Sequence, residues 1–91
     1  MKTFLTEAKP QCWRAVAIFA DEREALLYLG SSSPQIRSGY VRAFNDVLDE
    51  DEREQVVSIQ LQRWHGAPDA GRWHEQCELV VPGRKRLAKS A

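Results

Sequence analysis

Two alternating segments on either side of one turn-rich stretch constrain this chain more than anything else in it. In VVSIQLQRW (56–64), Val57, Ile59 and Leu61 fall on one side, and Ser58, Gln60 and Gln62 on the other. In WHEQCELVVP (73–82), Cys77, Leu79 and Val81 share a side, and Gln76 and Glu78 take the opposite one. Successive side chains leave a strand on opposite faces, so a period of two marks a half-buried strand. The intervening GAPDAGR (66–72) supplies turn residues. An antiparallel hairpin with one wet face is predicted.

Burial then selects a register. If paired residue numbers sum to 138, Val57 meets Val81, Ile59 meets Leu79, Leu61 meets Cys77, and Arg63 meets Glu75. A sum of 137 sets Ile59 against Glu78, putting charge on the core face. A slip of one residue exchanges the faces of every side chain, so the first register is expected. Its consequence falls on a repeated triplet, Arg63-Trp64-His65 and Arg72-Trp73-His74. Trp64 then opposes His74 on the polar face, and His65 opposes Trp73 on the core face. The two indoles point apart unless a β-bulge near the loop restores their pairing. On this reading the triplets serve cross-strand stabilisation, about 0.2–1 kcal/mol per pair.

Upstream, CWRAVAIFA (12–20) is apolar except for Arg14 and reads as a buried strand. DERE (21–24) followed by ALLYLG (25–30) allows a short capped helix or a turn and second strand. So short a helix is marginal, and the hairpin is preferred. The segment SSSPQIRSGYVRAFNDVL (31–48) predicts the main helix over 34–48, with Ser33 as N-cap and Pro34 as first helical residue. Its apolar face is Ile36, Tyr40, Val41, Phe44, Val47 and Leu48. Gly39 inside that helix implies close approach to the sheet. The acidic run DEDEREQ (49–55) reads as a second short helix, opened by an Asp49/Glu52 capping box, with a solvated face. The fold expected is α+β, in the order β-β-α-α-β-β, with a four-stranded, mainly antiparallel sheet and one main helix on one face. Its core would hold Trp13, Phe19, Leu27, Ile36, Tyr40, Phe44, Val57, Ile59, Leu61 and Leu79.

At 91 residues the chain is expected to be one domain, residues 1–83, with a thin core. Residues 1–83 carry nine basic and thirteen acidic side chains, while residues 84–91 carry four basic and no acidic ones. An acidic body followed by a basic, disordered tail is the expectation. No apolar run approaches a membrane span, and Phe4-Leu5 is too short for a secretion signal. A cytoplasmic, bacterial-type protein without membrane contact is expected. Two cysteines in such a setting are expected to be free.

Catalytic chemistry finds little support. His74-x-x-Cys77, with Cys12 and His65, has the composition of a zinc set. Residues three apart on a strand point to opposite faces, however, so no metal site is expected. No serine or cysteine is placed beside a base, and no glycine-rich phosphate loop exists. No catalytic residue and no cofactor are expected. The segment ALLYLGSS (25–32), after an apolar strand and before a helix, resembles the second half of a GIY-YIG nuclease signature. The resemblance covers about residues 13–48. The first tripeptide is missing, because the matching strand reads VAIFA. Gly39 stands where the family's helix arginine belongs, Arg37 is out of phase, and Glu54 is the residue the resemblance offers as metal-binding carboxylate. Tyr28, Leu29 and Gly30 read more simply as a strand ending at glycine, and the activity is not carried over.

A binding role is the main expectation. The first strand is apolar on both faces, while one helix covers only one side of the sheet. A non-catalytic protein-interaction module results, docking a protein partner or a second copy through Val16, Ile18, Leu26, Tyr28, Trp64 and His74. The alternatives are weak nucleic-acid association through the tail residues Arg84, Lys85, Arg86 and Lys89, whose phosphate contacts would be salt-sensitive, or the degenerate GIY-YIG-like nuclease domain that the resemblance implies.

Overall fold

A computed structural model describes residues 12–83. The tail residues Arg84, Lys85, Arg86 and Lys89 lie outside the described residues. The order is β1 (Trp13–Phe19), β2 (Glu24–Gly30), α1 (Ser33–Val47), α2 (Glu50–Gln55), β3 (Val56–Ala67) and β4 (Ala70–Leu79). All pairings are antiparallel, and the sheet order is β2-β1-β3-β4. This is the α+β architecture anticipated from the alternating and helical periods.

β1 and β2 form the preferred hairpin. The carboxylate of Asp21, instead of opening a helix, accepts from the backbone and side chain of Arg23 in the turn. Those hydrogen bonds hold the exposed Asp21 carboxyl below its ordinary pKa. α1 is capped one residue earlier than expected, by Ser32, whose hydroxyl accepts from Gln35 N–H. Pro34 lies in the first turn, where a missing N–H costs nothing. At the other end of α1, Arg53 of α2 donates to the Asn45 and Leu48 carbonyls. α2 opens with the complete Asp49/Glu52 capping box.

α1 lies over β2 and β1. Ile36, Tyr40, Phe44 and Leu48 meet Ala15, Ala17, Phe19, Leu27, Val56, Ile59, Leu61 and Leu79 in one core. Gly39 marks the closest approach, since a Cβ there would lie 2.6 Å from the Tyr28 ring. Val41 and Val47, expected on the packed face, are exposed at its margins. Trp13 is half-buried against the core.

Two expectations about β3 need correction. Val57 is 56% exposed, and Val56 takes the core position. The cause is an irregularity beside it: Ile18 pairs with Ser58 and Phe19 with Val56, which leaves Val57 as the extra residue. Val57 therefore does not meet Val81. The second correction concerns the indoles. The 138 register holds only where the ribbon is buried, at Ile59–Leu79, Gln60–Glu78 and Leu61–Cys77. A shift between Leu61 and Gln62 then changes the sum to 137, giving Gln62–Glu75, Arg63–His74, Trp64–Trp73 and His65–Arg72. Trp64 opposes Trp73, not His74, and Arg63 does not meet Glu75. The extra residue is Gln76 on β4.

Candidate functional site

The bulge divides the β3–β4 ribbon into an inner half, part of the core, and an outer half that carries the chemically varied residues. Alternation assigns the outer residues to two faces. Arg63, His65, Arg72 and His74 share the α1 side of the sheet, while Trp64 and Trp73 join Gln62 and Glu75 on the open side.

The open side begins with Arg14, because β1 shows Ala15, Ala17 and Phe19 to the core and Arg14, Val16 and Ile18 away from it. The Arg14 Nε–H donates to Gln62 Oε1 at 2.7 Å, and Gln62 Nε2–H donates to Gln60 Oε1 at 2.8 Å. The Arg14 guanidinium also lies 4.2 Å from the centre of the Trp73 ring. Burial lowers its pKa, and the charge of Glu24 partly offsets that effect. The group remains a cation, but a partly dehydrated one, so the negative face of Trp73 matters more to it than it would in water. Trp64 meets Trp73 edge to face, with ring centres 5.4 Å apart. This is a favoured geometry for two quadrupoles, worth about 0.5–1.5 kcal/mol beyond burial. The indole N–H of Trp64 donates to the Ala67 carbonyl at 3.0 Å. Gly71 makes this possible: a Cβ there would lie 2.8 Å from that indole nitrogen and 2.3 Å from the His65 carbonyl oxygen.

Toward β2 the open side becomes apolar. Leu26 is 47% and Leu29 38% exposed, Ile18 is half-buried, and Val16 is buried. Glu24 stands opposite Ile18, and Glu75 and Glu78 stand opposite Gln62 and Gln60. The result is an apolar strip, an aromatic end and an acidic border.

Of the contact residues expected from sequence, Val16, Ile18, Leu26 and Trp64 share this side. Tyr28 is turned to α1 and Gly39, and His74 is on the α1 side. Sequence reasoning did not single out Arg14, Gln62 and Trp73 as a group. The signal that could have found them was the bulge that restores the indole pair.

The α1 side of the outer ribbon gathers His65 and His74, with ring centres 4.6 Å apart, and Arg63, whose guanidinium lies 5.1 Å from the Trp13 ring centre. Arg37 on α1 donates to Cys77 Sγ at 3.1 Å and to Ser33 Oγ at 3.3 Å. The bulge also overturns one argument against zinc: His74 and Cys77, three apart, share a face. Cys12, just before Trp13, falls on the other face by alternation. Among the described residues no group of three His, Cys, Asp or Glu side chains is placed to hold a metal ion.

The positions resembling the nuclease signature do not converge. Tyr28 packs on Gly39, and Arg37 reaches across to β4. Glu54 lies on α2, which leads into the far end of β3.

No protein-family model, curated protein or solved structure matches the chain.

Proposed function

We propose that this protein is a small non-catalytic interaction module whose open sheet face docks a protein partner. The partner would present apolar side chains flanked by lysine or arginine. One observation carries the reading: an apolar strip with exposed Leu26 and Leu29 runs along β2 and β1, with Glu24 beside it on β2 and Glu75 and Glu78 on the same face across β3. Burying such a strip contributes about 25 cal/mol per Å² of apolar surface, and the carboxylates select the partner's charge. Arg14, the cation on this face, is already engaged by Gln62 and Trp73. A second copy would therefore bring carboxylates toward carboxylates, which favours a different, basic partner over a homodimer. The reading includes a reducing cytoplasmic setting, supported by Cys12 and Cys77 as free thiols. Among the described residues no helix is long and apolar enough to cross a membrane.

Two synthetic peptides test the proposal, one alternating leucine with lysine and one alternating leucine with glutamate, titrated against the full chain by tryptophan fluorescence. The lysine peptide should bind at least tenfold more tightly. Leu26→Lys and Glu75→Lys should each weaken it about tenfold, without changing the circular dichroism of these exposed sites. Equal binding of both peptides, or indifference to both substitutions, would remove the proposal. Light scattering over a dilution series checks the other occupant: a dimer abolished by Ile18→Lys would replace the partner with a second copy.

A further inference from the structure

The α1 side of the outer ribbon holds cations that the open-face reading leaves unused. Arg63 stands opposite His74, and His65 opposite Arg72, on two successive same-face rungs about 7 Å apart. Arg37 continues the line at the preceding rung, through Cys77. All five side chains are on exposed residues. Among the described residues none of these three arginines is in an ion pair. Glu75 and Glu78 turn to the opposite face, so the carboxylates of β4 do not neutralise the line. The His65 and His74 rings belong to the same two rungs as Arg63 and Arg72 and are tilted by 50° to each other. The Arg63 guanidinium lies 5.1 Å from the Trp13 ring centre, on a residue that remains exposed.

We propose that this face binds a single-stranded nucleic acid, with phosphates on Arg37, Arg63 and Arg72 and bases against the two imidazole rings. Phosphate contacts from arginine supply sequence-independent affinity, and flat rings accept any base with an exposed π face. A duplex keeps its bases inside the stack, so exposed rings discriminate in favour of single strands. This site lies on the other side of the sheet from the proposed protein surface, and it is tested separately from it. It is also distinct from residues 84–91, whose charges add electrostatic attraction without rings.

Fluorescence anisotropy of the full chain with a labelled single-stranded DNA of about 12 nucleotides tests it. Affinity should fall with salt, and about 0.7 of the logarithmic slope should be lost for each phosphate contact removed. Arg63→Gln with Arg72→Gln should weaken binding at least tenfold at low salt and flatten that slope by about 1.4. His65→Ala with His74→Ala should weaken the oligonucleotide several-fold while leaving inorganic polyphosphate unaffected. Replacing Arg84, Lys85 and Arg86 by glutamine should lower affinity but preserve the preference for single strands. Unchanged affinity in the double arginine variant, or equal binding of duplex and single strand, would overturn the site. Circular dichroism of each variant confirms the fold, which these exposed positions do not support.

Discussion

The inner and outer halves of the β3–β4 ribbon obey different authorities. In the inner half, Ile59 is fully buried, and Leu61 and Leu79 nearly so. There the pairing is dictated by which side chains must leave water. In the outer half nothing on either face is fully buried, and the pairing is dictated from the other end. Ala67 pairs with Ala70, so Pro68 and Asp69 form a two-residue loop. A loop of that length fixes the numbers of the pairs that follow. The two demands differ by one residue, and the ribbon meets both by leaving Gln76 unpaired. One extra residue thus separates a part that holds the protein together from a part free to carry aromatic, cationic and acidic groups on chosen faces.

The largest expected difference between the halves is energetic. Leu61→Asp places an unpaired carboxylate at a site 2% exposed. The desolvation cost, added to the lost apolar burial, approaches the roughly 5–10 kcal/mol total stability of a domain this size. The variant should be unfolded or insoluble, as seen by circular dichroism and soluble yield. Leu61→Ala should cost about 2–5 kcal/mol in urea unfolding. A folded, soluble Leu61→Asp protein would mean that the inner register is not set by burial.

The same division explains what could be read without coordinates. Element order, the main helix and the Ile59–Leu79 and Leu61–Cys77 pairs were legible because each rests on a hydrophobic period. The outer half was not, because a burial argument extended past Leu61 loses its warrant once neither face is buried. Both sums were nevertheless present in the sequence. Burial demanded 138, and the repeated RWH triplets around Pro68-Asp69 are symmetric about 137. Two incompatible sums on one hairpin are themselves the signature of a bulge. Val57 failed for the same kind of reason: period two placed it inward, and an extra residue at the start of β3 moved Val56 there instead. The candidate site was legible as a list of aromatic and charged residues, but their assignment to faces depended on Gln76.

A smaller effect is expected from the outer half's open face. Arg14→Met keeps an unbranched stem on β1 but removes the cation over Trp73 and the donor to Gln62. A cation–π contact of about 0.5–1 kcal/mol and a hydrogen bond of similar size predict a loss of roughly 1–2 kcal/mol in urea unfolding. Gln62, 8% exposed, loses the guanidinium that satisfied its carbonyl oxygen. Arg14→Lys should not restore the full value, because an ammonium lacks the planar fork that serves the ring and the amide together. A loss as large as that of Leu61→Ala would show that the open face is part of the core, and the contrast between the halves would fail.

The smallest effect tests the division itself. Deleting Gln76 brings Glu75 and Cys77 next to each other in sequence. Cys77 still faces Leu61, Glu75 still faces Gln62, and alternation runs unbroken through the junction. Trp64 should therefore remain opposite Trp73, and the exciton-coupled circular dichroism of the indole pair should persist. The local kink and extra twist disappear, with a stability change of about 1 kcal/mol or less. A single 138 register makes the opposite forecast. In that register the indoles start on opposite faces, so removing one residue from β4 would either bring Trp73 opposite Trp64 for the first time, with gain of an indole signal, or force Leu79 out of the core, with a stability loss of several kcal/mol. The deletion thus distinguishes a ribbon with two registers joined at Gln76 from a ribbon with one.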